Sequence, residues 1–180
     1  IEGKDQIRGW WNSQLILSEI KFGKKPFESI SVHGMMLDLG KRKMSKSLGN
    51  FISPKEIIEK YSRDYLRYYF TKVSKGEDFS FDEKEFLDIG NFFRILVNVN
   101  NFISQLENKR ASMKIEDRWI LSKFNSLIRE ITDNYNKYRF YDVIALLEKF
   151  IIFDLSKTYI QIIRERSEEV FKVLDGIRNN

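Results

Sequence analysis

The pattern of hydrophobic and polar positions divides the chain into a mixed first part and a helical second part. The segment from Asp5 to Phe22 predicts a helix, and apolar residues on more than one of its sides predict that it is largely buried. The partly alternating segment Phe27 to Met36 predicts a strand. After the polar stretch Ser74 to Asp78, almost only helical periodicity remains.

The second part predicts a helical bundle. One helix is expected from about Asp82, a strongly amphipathic one from Asp117 to about Lys137, and a long one from Tyr141 to Arg166. Short polar links between such helices are typical of bundles. The expected fold class is therefore mainly α with a small α/β portion, divided into residues 1–75 and 76–180.

Positive charge is concentrated in the first part of the chain. Residues 1–75 hold 15 Lys and Arg against 8 Asp and Glu, whereas residues 76–180 hold 16 against 18. This asymmetry favours an anionic ligand at the first part, either nucleotide phosphates or an RNA backbone. Without cysteine and with one histidine, these 180 residues offer no disulfide and no Cys- or His-rich zinc site.

The densest basic stretch runs from Lys41 to Asn50 and combines four cations, two serines and a glycine. It follows a strand end at Leu37, and Ser53-Pro54 after it can begin a helix. Such a loop suits a polyphosphate, because ammonium groups are strong point charges and small residues let backbone N–H groups approach the oxygens. The alternative is a solvated basic hairpin.

Two further groups of polar residues lie at predicted strand ends. They are Glu2-Gly3-Lys4-Asp5 and His33-Gly34. In a strand–helix–strand unit with parallel strands, ligands bind at the carboxyl ends of the strands. The alternative is structural: Asp5 would cap the following helix and His33 would be an ordinary strand-end histidine.

These residues together resemble one enzyme family. The basic loop contains Lys-Met-Ser-Lys-Ser-Leu-Gly-Asn from Lys43 to Asn50, and the chain begins with Glu-Gly-Lys-Asp-Gln-Ile-Arg-Gly-Trp-Trp from Glu2 to Trp11. With His33-Gly34 in between, they resemble the class I aminoacyl-tRNA synthetases, and the Asp-Gln-x-Arg-Gly-Trp spelling resembles the isoleucyl type. The segments 91–94, 117–121 and 150–166 extend the resemblance over nearly the whole chain.

The resemblance implies a remnant of a Rossmann-like nucleotide domain at 1–75 and an anticodon-binding helical bundle at 76–180. It implies that Lys46, and after it Lys43, act on the phosphates during amino-acid activation, and that Trp10 binds the amino acid. The cofactor-binding residues that it implies are Lys46, Glu2, Gly3, Asp5, Gln6 and His33.

The resemblance also implies ligands and partners. The substrates are ATP with Mg²⁺, isoleucine and tRNA(Ile), and we expect a cytoplasmic monomer without bound zinc or membrane contact. We expect these 180 residues to be a fragment that is inactive alone, because the family's His-x-Gly-His motif is missing. The alternatives are a valyl- or leucyl-type fragment and a free-standing helical RNA-binding module.

The chain departs from the family's pattern at Ser62, where a glycine is usual, and at Ser156 to Tyr159. The second departure leaves anticodon contacts open. The arginines that we consider as RNA-binding candidates are Arg94, Arg118, Arg139, Arg164 and Arg166.

Overall fold

The computed structural model describes residues 1–106 and 112–179, without the side chains of 167–169. The chain forms two compact units, Ile1–Glu83 and Lys84–Asn180. This division lies later than the boundary expected at 75/76, because the strand that follows the polar stretch pairs within the first unit. None of the helices in the described part of the chain combines the length and apolar character needed to span a bilayer.

Four short strands form two parallel pairs in the first unit. Strand β1 (Glu2–Gly3) pairs with β2 (Val32–His33), and β3 (Met36–Leu37) pairs with β4 (Phe79–Ser80). The expected strand over 27–36 is wrong for most of its length. A strand needs a hydrogen-bonded neighbour. Within 27–36, the described residues provide one only for β2 and Met36 and for the carbonyl groups just before them, those of Ser31 and Met35.

The first long helix, α1 (Trp10–Phe22), follows a 3-10 turn at Lys4–Arg8. The expectation that this helix is largely buried is wrong, since only Ser18 among its residues is buried. Within the described residues, the 3-10 turn before it is the only element that packs extensively against α1. Six apolar side chains of α1 are therefore exposed: Trp10, Leu15, Ile16, Leu17, Ile20 and Phe22.

Two helices, α2 (Pro54–Lys60) and α3 (Arg63–Val73), complete the first unit. Tyr69 of α3 is fully buried, and its ring packs edge-on against Phe81 with centroids 5.3 Å apart. The Tyr69 hydroxyl in turn accepts a hydrogen bond of 3.3 Å from the backbone N–H of Asp82. Apolar packing and this bond fix the chain after β4.

The turn between α2 and α3 is strained at Ser62. Its φ of 122° and ψ of 164° lie in a region that only glycine adopts readily, and such strain costs about 1–3 kcal/mol. The Ser62 hydroxyl caps α3 by accepting the Tyr65 N–H at 3.4 Å. Because replacing a cap by glycine costs only a few tenths of a kcal/mol, strain relief outweighs its loss.

We therefore expect Ser62→Gly to raise the free energy of unfolding by about 1 kcal/mol, measured by urea denaturation. Ser74 at the other end of α3 is the matched control, since its φ of −78° carries no such strain. There the same change lowers stability, because glycine only adds freedom to the unfolded chain. A destabilised Ser62→Gly variant would contradict the strain at this turn.

The second unit is the predicted helical bundle, so the expected fold class is confirmed. Its elements are α4 (Glu85–Ser104), α5 (Ile115–Asn136), α6 (Phe140–Lys149), a π-helical stretch (Phe150–Tyr159), α7 (Ile160–Ile162), a 3-10 segment (Arg164–Glu169) and α8 (Phe171–Arg178). Their apolar faces meet in one core. It is built by Val99, Ile103, Ile120, Leu127, Phe150, Leu155, Tyr159, Ile163, Val170, Val173, Leu174 and Ile177.

Candidate nucleotide site

The pairing of β1 with β2 brings three of the sequence-predicted site residues together. Gly3 lies opposite His33 in the parallel register. A Cβ atom on Gly3 would lie 2.6 Å from Asp5 Oδ1 and 3.7 Å from His33 Cε1. Glycine at this position therefore lets the Asp5 carboxylate lie against the backbone of β1. Gly3 is buried there, while Glu2 beside it is exposed.

Gln6 connects this corner to the start of α1. Its Nε2 donates to Asp5 Oδ2 at 2.9 Å, and its Oε1 accepts the backbone N–H of Trp10 at 3.2 Å. The expectation that Asp5 caps the helix is wrong, because the 3-10 turn separates Asp5 from α1 and Gln6 provides the acceptor instead. Trp10, the first residue of α1, leaves 59% of its surface exposed.

The segment after His33 is held by a residue that the sequence did not single out. Asp78 accepts the Met35 N–H on Oδ1 and the Lys4 ammonium group on Oδ2, both at 2.7 Å. These two donors, Lys4 first, hold the pKa of Asp78 below its usual range. Asp78 thus ties the loop after β1 to β3, and nothing in the sequence distinguished it from other loop aspartates.

The basic loop follows β3 after a tight turn, and hydrogen bonds between its own residues hold its backbone. Leu37 forms an antiparallel bridge to Lys43. Ser45 then caps a short 3-10 turn, Lys46–Leu48, by accepting the Leu48 N–H at 3.3 Å. The two serine hydroxyls of the loop lie 3.2 Å apart, and Gly49 ends the turn with a φ of 67°.

Both lysines proposed for catalysis are exposed. The Lys46 ammonium group lies 5.6 Å from the centroid of the Phe51 ring. Among the described residues, no carboxylate pairs with Lys43 or Lys46, whereas exposed cations close by, such as Arg42 and Lys55, do form ion pairs. Two uncompensated cations on a hydrogen-bonded loop can meet a polyphosphate directly.

The second unit contains a buried ionic network that the sequence did not reveal. Asp117 is 2% exposed and accepts Tyr159 Oη and Arg166 Nη2, both at 2.7 Å, and the Lys114 N–H at 2.8 Å. Arg166 also donates Nε to Glu116 at 3.1 Å. Since its side chain is only 12% exposed, the proposal of Arg166 as an RNA-binding candidate is wrong.

Removing the charge of Asp117 is expected to destabilise the bundle. Asp117→Asn leaves Glu116 as the one carboxylate paired with the Arg166 guanidinium among the described residues, so we expect the free energy of unfolding to fall by about 2 kcal/mol in urea denaturation. The matched control on α5 is Asp133→Asn. Asp133 and its partner Lys137 are both exposed, so losing their ion pair should change the free energy of unfolding by less than about 0.5 kcal/mol. Equal effects of the two changes would contradict the network.

This loss should also depend on pH. Burial raises the pKa of Asp117. The hydrogen bonds from Arg166, Tyr159 and the Lys114 N–H lower this pKa by more than burial raises it, so the net shift is downward. A depressed folded-state pKa stabilises the fold above the unfolded-state value of about 3.9, and this contribution disappears as the pH falls through the folded-state value. The difference between the parent chain and Asp117→Asn should therefore shrink in acid.

Comparison with known proteins finds matches for both parts of the chain. Residues 1–82 match the model of class I tRNA synthetases (I, L, M and V), and residues 117–177 match the model of the anticodon-binding domain of tRNA ligase. Both parts of the chain are thus similar to class I aminoacyl-tRNA synthetases. The similar curated proteins include isoleucine–tRNA ligases.

The chain spans less than a fifth of the length of these curated relatives. Isoleucine–tRNA ligase of Methanothrix thermoacetophila is 37% identical over 178 residues, which cover 92% of this chain and 17% of the relative. That of Saccharolobus solfataricus is 36% identical over 180 residues, covering 93% and 18%. Methionyl-tRNA synthetase of Mycobacterium tuberculosis, solved with methionyl-adenylate, has the same fold with a TM-score of 0.71 at 18% identity, over 98% of this chain and 38% of that one.

Proposed function

We propose that this chain is part of an isoleucine–tRNA ligase and supplies its phosphate-binding loop and a tRNA-binding helical bundle. The observation that carries the proposal is the position of Lys43 and Lys46 in the family's signature loop, exposed and without carboxylate partners among the described residues. Identity of 37% with an isoleucine–tRNA ligase over 92% of the chain favours isoleucine over valine or leucine.

The first reaction step makes an adenylate. A carboxylate oxygen of isoleucine attacks the α-phosphorus of ATP, the bond from that phosphorus to the bridging oxygen breaks, and pyrophosphate leaves with the electron pair. Negative charge accumulates on the leaving phosphates, and fixed cations aimed at that charge lower the barrier. Lys46, followed by Lys43, is proposed for this role, and neither residue forms a covalent bond.

The corner between β1 and β2 is proposed to hold the adenylate. Gly3 lets the Asp5 carboxylate lie close to the backbone of β1, and the carboxylates of Glu2 and Asp5 can accept hydrogen bonds from ribose hydroxyls or from the ammonium group of isoleucine. His33 and Gln6 add polar contacts at the same corner. Trp10 would provide an apolar wall for the branched side chain.

The second step transfers the amino acid to tRNA. A ribose hydroxyl at the 3′ end of tRNA(Ile) attacks the acyl carbon, and AMP leaves with the electron pair and a proton is released. The bundle at 84–180 is proposed to bind the anticodon stem-loop of this tRNA, and the match of residues 117–177 to an anticodon-binding domain supports this role. We further propose that the protein acts as a cytoplasmic monomer.

The described residues do not form a binding site for Mg²⁺ made of protein side chains. No cluster of three His, Cys, Asp or Glu side chains there could hold a metal ion. We therefore propose that Mg²⁺ arrives bound to the phosphates of ATP, as part of the substrate, and no step above depends on a protein ligand to it.

The test is amino-acid-dependent exchange of pyrophosphate into ATP by the complete protein that carries this chain. We expect exchange with isoleucine, weaker exchange with valine, since one methylene separates them only modestly, and none with leucine. Preference for valine or leucine would support the other synthetase types. The chain by itself should show no exchange, because it spans only 17% of the related ligase.

A gel-shift experiment tests the remaining alternative, a free-standing RNA-binding module. The 180-residue chain should bind tRNA(Ile) more tightly than a tRNA of another specificity, and changing the anticodon of tRNA(Ile) should remove this preference. Equal binding to unrelated RNAs would favour the generic module.

A further inference from the structure

Asp38 stands where β3 turns into the basic loop, and its carboxylate is fully engaged there. Oδ1 accepts the Arg42 N–H at 2.9 Å, and Oδ2 accepts Arg42 Nε at 3.1 Å and Asn50 Nδ2 at 2.9 Å. The side chain is 13% exposed. One carboxylate thus connects the beginning of the loop to its last residue.

Asn50 reaches the backbone on both sides of Met44. Its Oδ1 accepts the Ser45 N–H at 2.9 Å, and its Nδ2 donates to the Lys43 carbonyl at 3.3 Å as well as to Asp38. One amide therefore fixes the main chain from Lys43 to Ser45, which is most of the backbone that connects Lys43 to Lys46. Replacing Asn50 removes bonds to both backbone groups at once.

We propose that Asp38 and Asn50 are positioning residues that hold the backbone of the basic loop in one internal shape, so that Lys43 and Lys46 start from fixed points when they act on ATP. This inference rests on the proposed function. Loop lysines tethered only by the backbone would lose rotational and translational freedom during the reaction, whereas a loop already closed by Asp38 and Asn50 does not. Neither residue contacts the substrate in this proposal.

The bond between the two side chains permits a swap experiment. In Asn50→Asp, a second carboxylate faces Asp38 Oδ2 and the donor to the Lys43 carbonyl is lost. In the double variant Asp38→Asn with Asn50→Asp, the new amide at 38 can donate to the new carboxylate at 50, and the carboxylate still accepts the Ser45 N–H. The double variant thus restores the bond between residues 38 and 50, while Arg42 Nε loses its acceptor on residue 38 and the Lys43 carbonyl stays without its donor.

The activity test measures isoleucine-dependent pyrophosphate exchange in the complete ligase. We expect Asn50→Asp to lower kcat about a hundredfold with the KM for isoleucine within about twofold, and the double variant to recover at least about tenfold. The control is Asn98→Asp, the same change at an exposed position of α4, which should leave exchange unaltered. A merely structural role would move melting temperature and both kinetic constants together, without rescue.

A second measurement does not require activity. In the 180-residue chain, hydrogen exchange of the Ser45 amide should accelerate at least about tenfold in Asn50→Ala and stay slow in the double variant. An active ligase in which Asn50→Asp has no effect, or in which the double variant is no better than the single one, would overturn the positioning role alone. An inactive wild type overturns the proposed function, and unchanged Ser45 exchange in Asn50→Ala overturns the clamp itself.

Discussion

If the proposed function holds, Lys46→Ala in the complete protein is expected to slow isoleucine-dependent adenylate formation by about a hundredfold to a thousandfold, with little change in the KM for isoleucine. Removing one preorganised donor from a developing negative charge has an effect of this size. Lys46 has no carboxylate partner among the described residues, so its loss removes no ion pair of the fold. The measurement is ATP–pyrophosphate exchange at varied isoleucine and ATP concentrations.

Lys55→Ala provides the control for this change. Lys55 lies a few residues after the loop on α2, its side chain is 84% exposed, and its ion pair with Glu59 spans 3.9 Å. Loss of so exposed a pair should leave exchange unaltered. If Lys46→Ala instead weakened isoleucine binding as much as it slowed the reaction, Lys46 would not act on the transition state.

Gly34→Ala is expected to separate β3 from β4. A Cβ atom on Gly34 would overlap the Glu77 carbonyl group and lie 2.5 Å from Asp78 N, and these are backbone atoms that cannot rotate away. Overpacking of this kind costs about 3 kcal/mol. The local opening should be visible as about a hundredfold faster hydrogen exchange at the Phe79 and Phe81 amides, which bond to Met35 O and Leu37 O at 3.1 and 2.8 Å.

The control adds the same methyl group where there is room. A Cβ atom on Gly176 of α8 meets nothing within 4 Å, so Gly176→Ala should leave the exchange of the Phe79 and Phe81 amides unchanged. Slow hydrogen exchange of both amides in Gly34→Ala would show that the backbone around Glu77 can move to make room for the methyl group. The short distance between Gly34 and the Glu77 carbonyl group would then not be needed for the pairing of β3 with β4.

The sequence predicted those parts of the site that follow from local rules. Parallel strands end at one edge, which is why Gly3 and His33 could be expected to meet. Residue type and spelling selected Lys43 and Lys46, and their role stays a prediction. The helical periodicity of the second part likewise predicted the bundle, because apolar residues that repeat every three or four positions lie on one face of a helix, and that face is the one that packs into a core.

The parts that the sequence missed depend on partners far away in the chain. Asp78 contacts Lys4, and Asp117 contacts Arg166, across separations of 74 and 49 residues. No local pattern encodes such polar pairs. The exposure of α1 was missed for the same reason, since its apolar sides showed that it could be buried but not whether a neighbouring element of this chain would cover them.

The decisive experiment is the charging of tRNA(Ile), with the complete protein and its Lys43→Ala/Lys46→Ala variant measured side by side. We predict that the parent protein attaches isoleucine to tRNA(Ile) and not to tRNA(Leu), and that the variant is slower by at least about a thousandfold. A parent protein that leaves tRNA(Ile) uncharged, or a variant that charges it at the parent rate, would contradict this prediction.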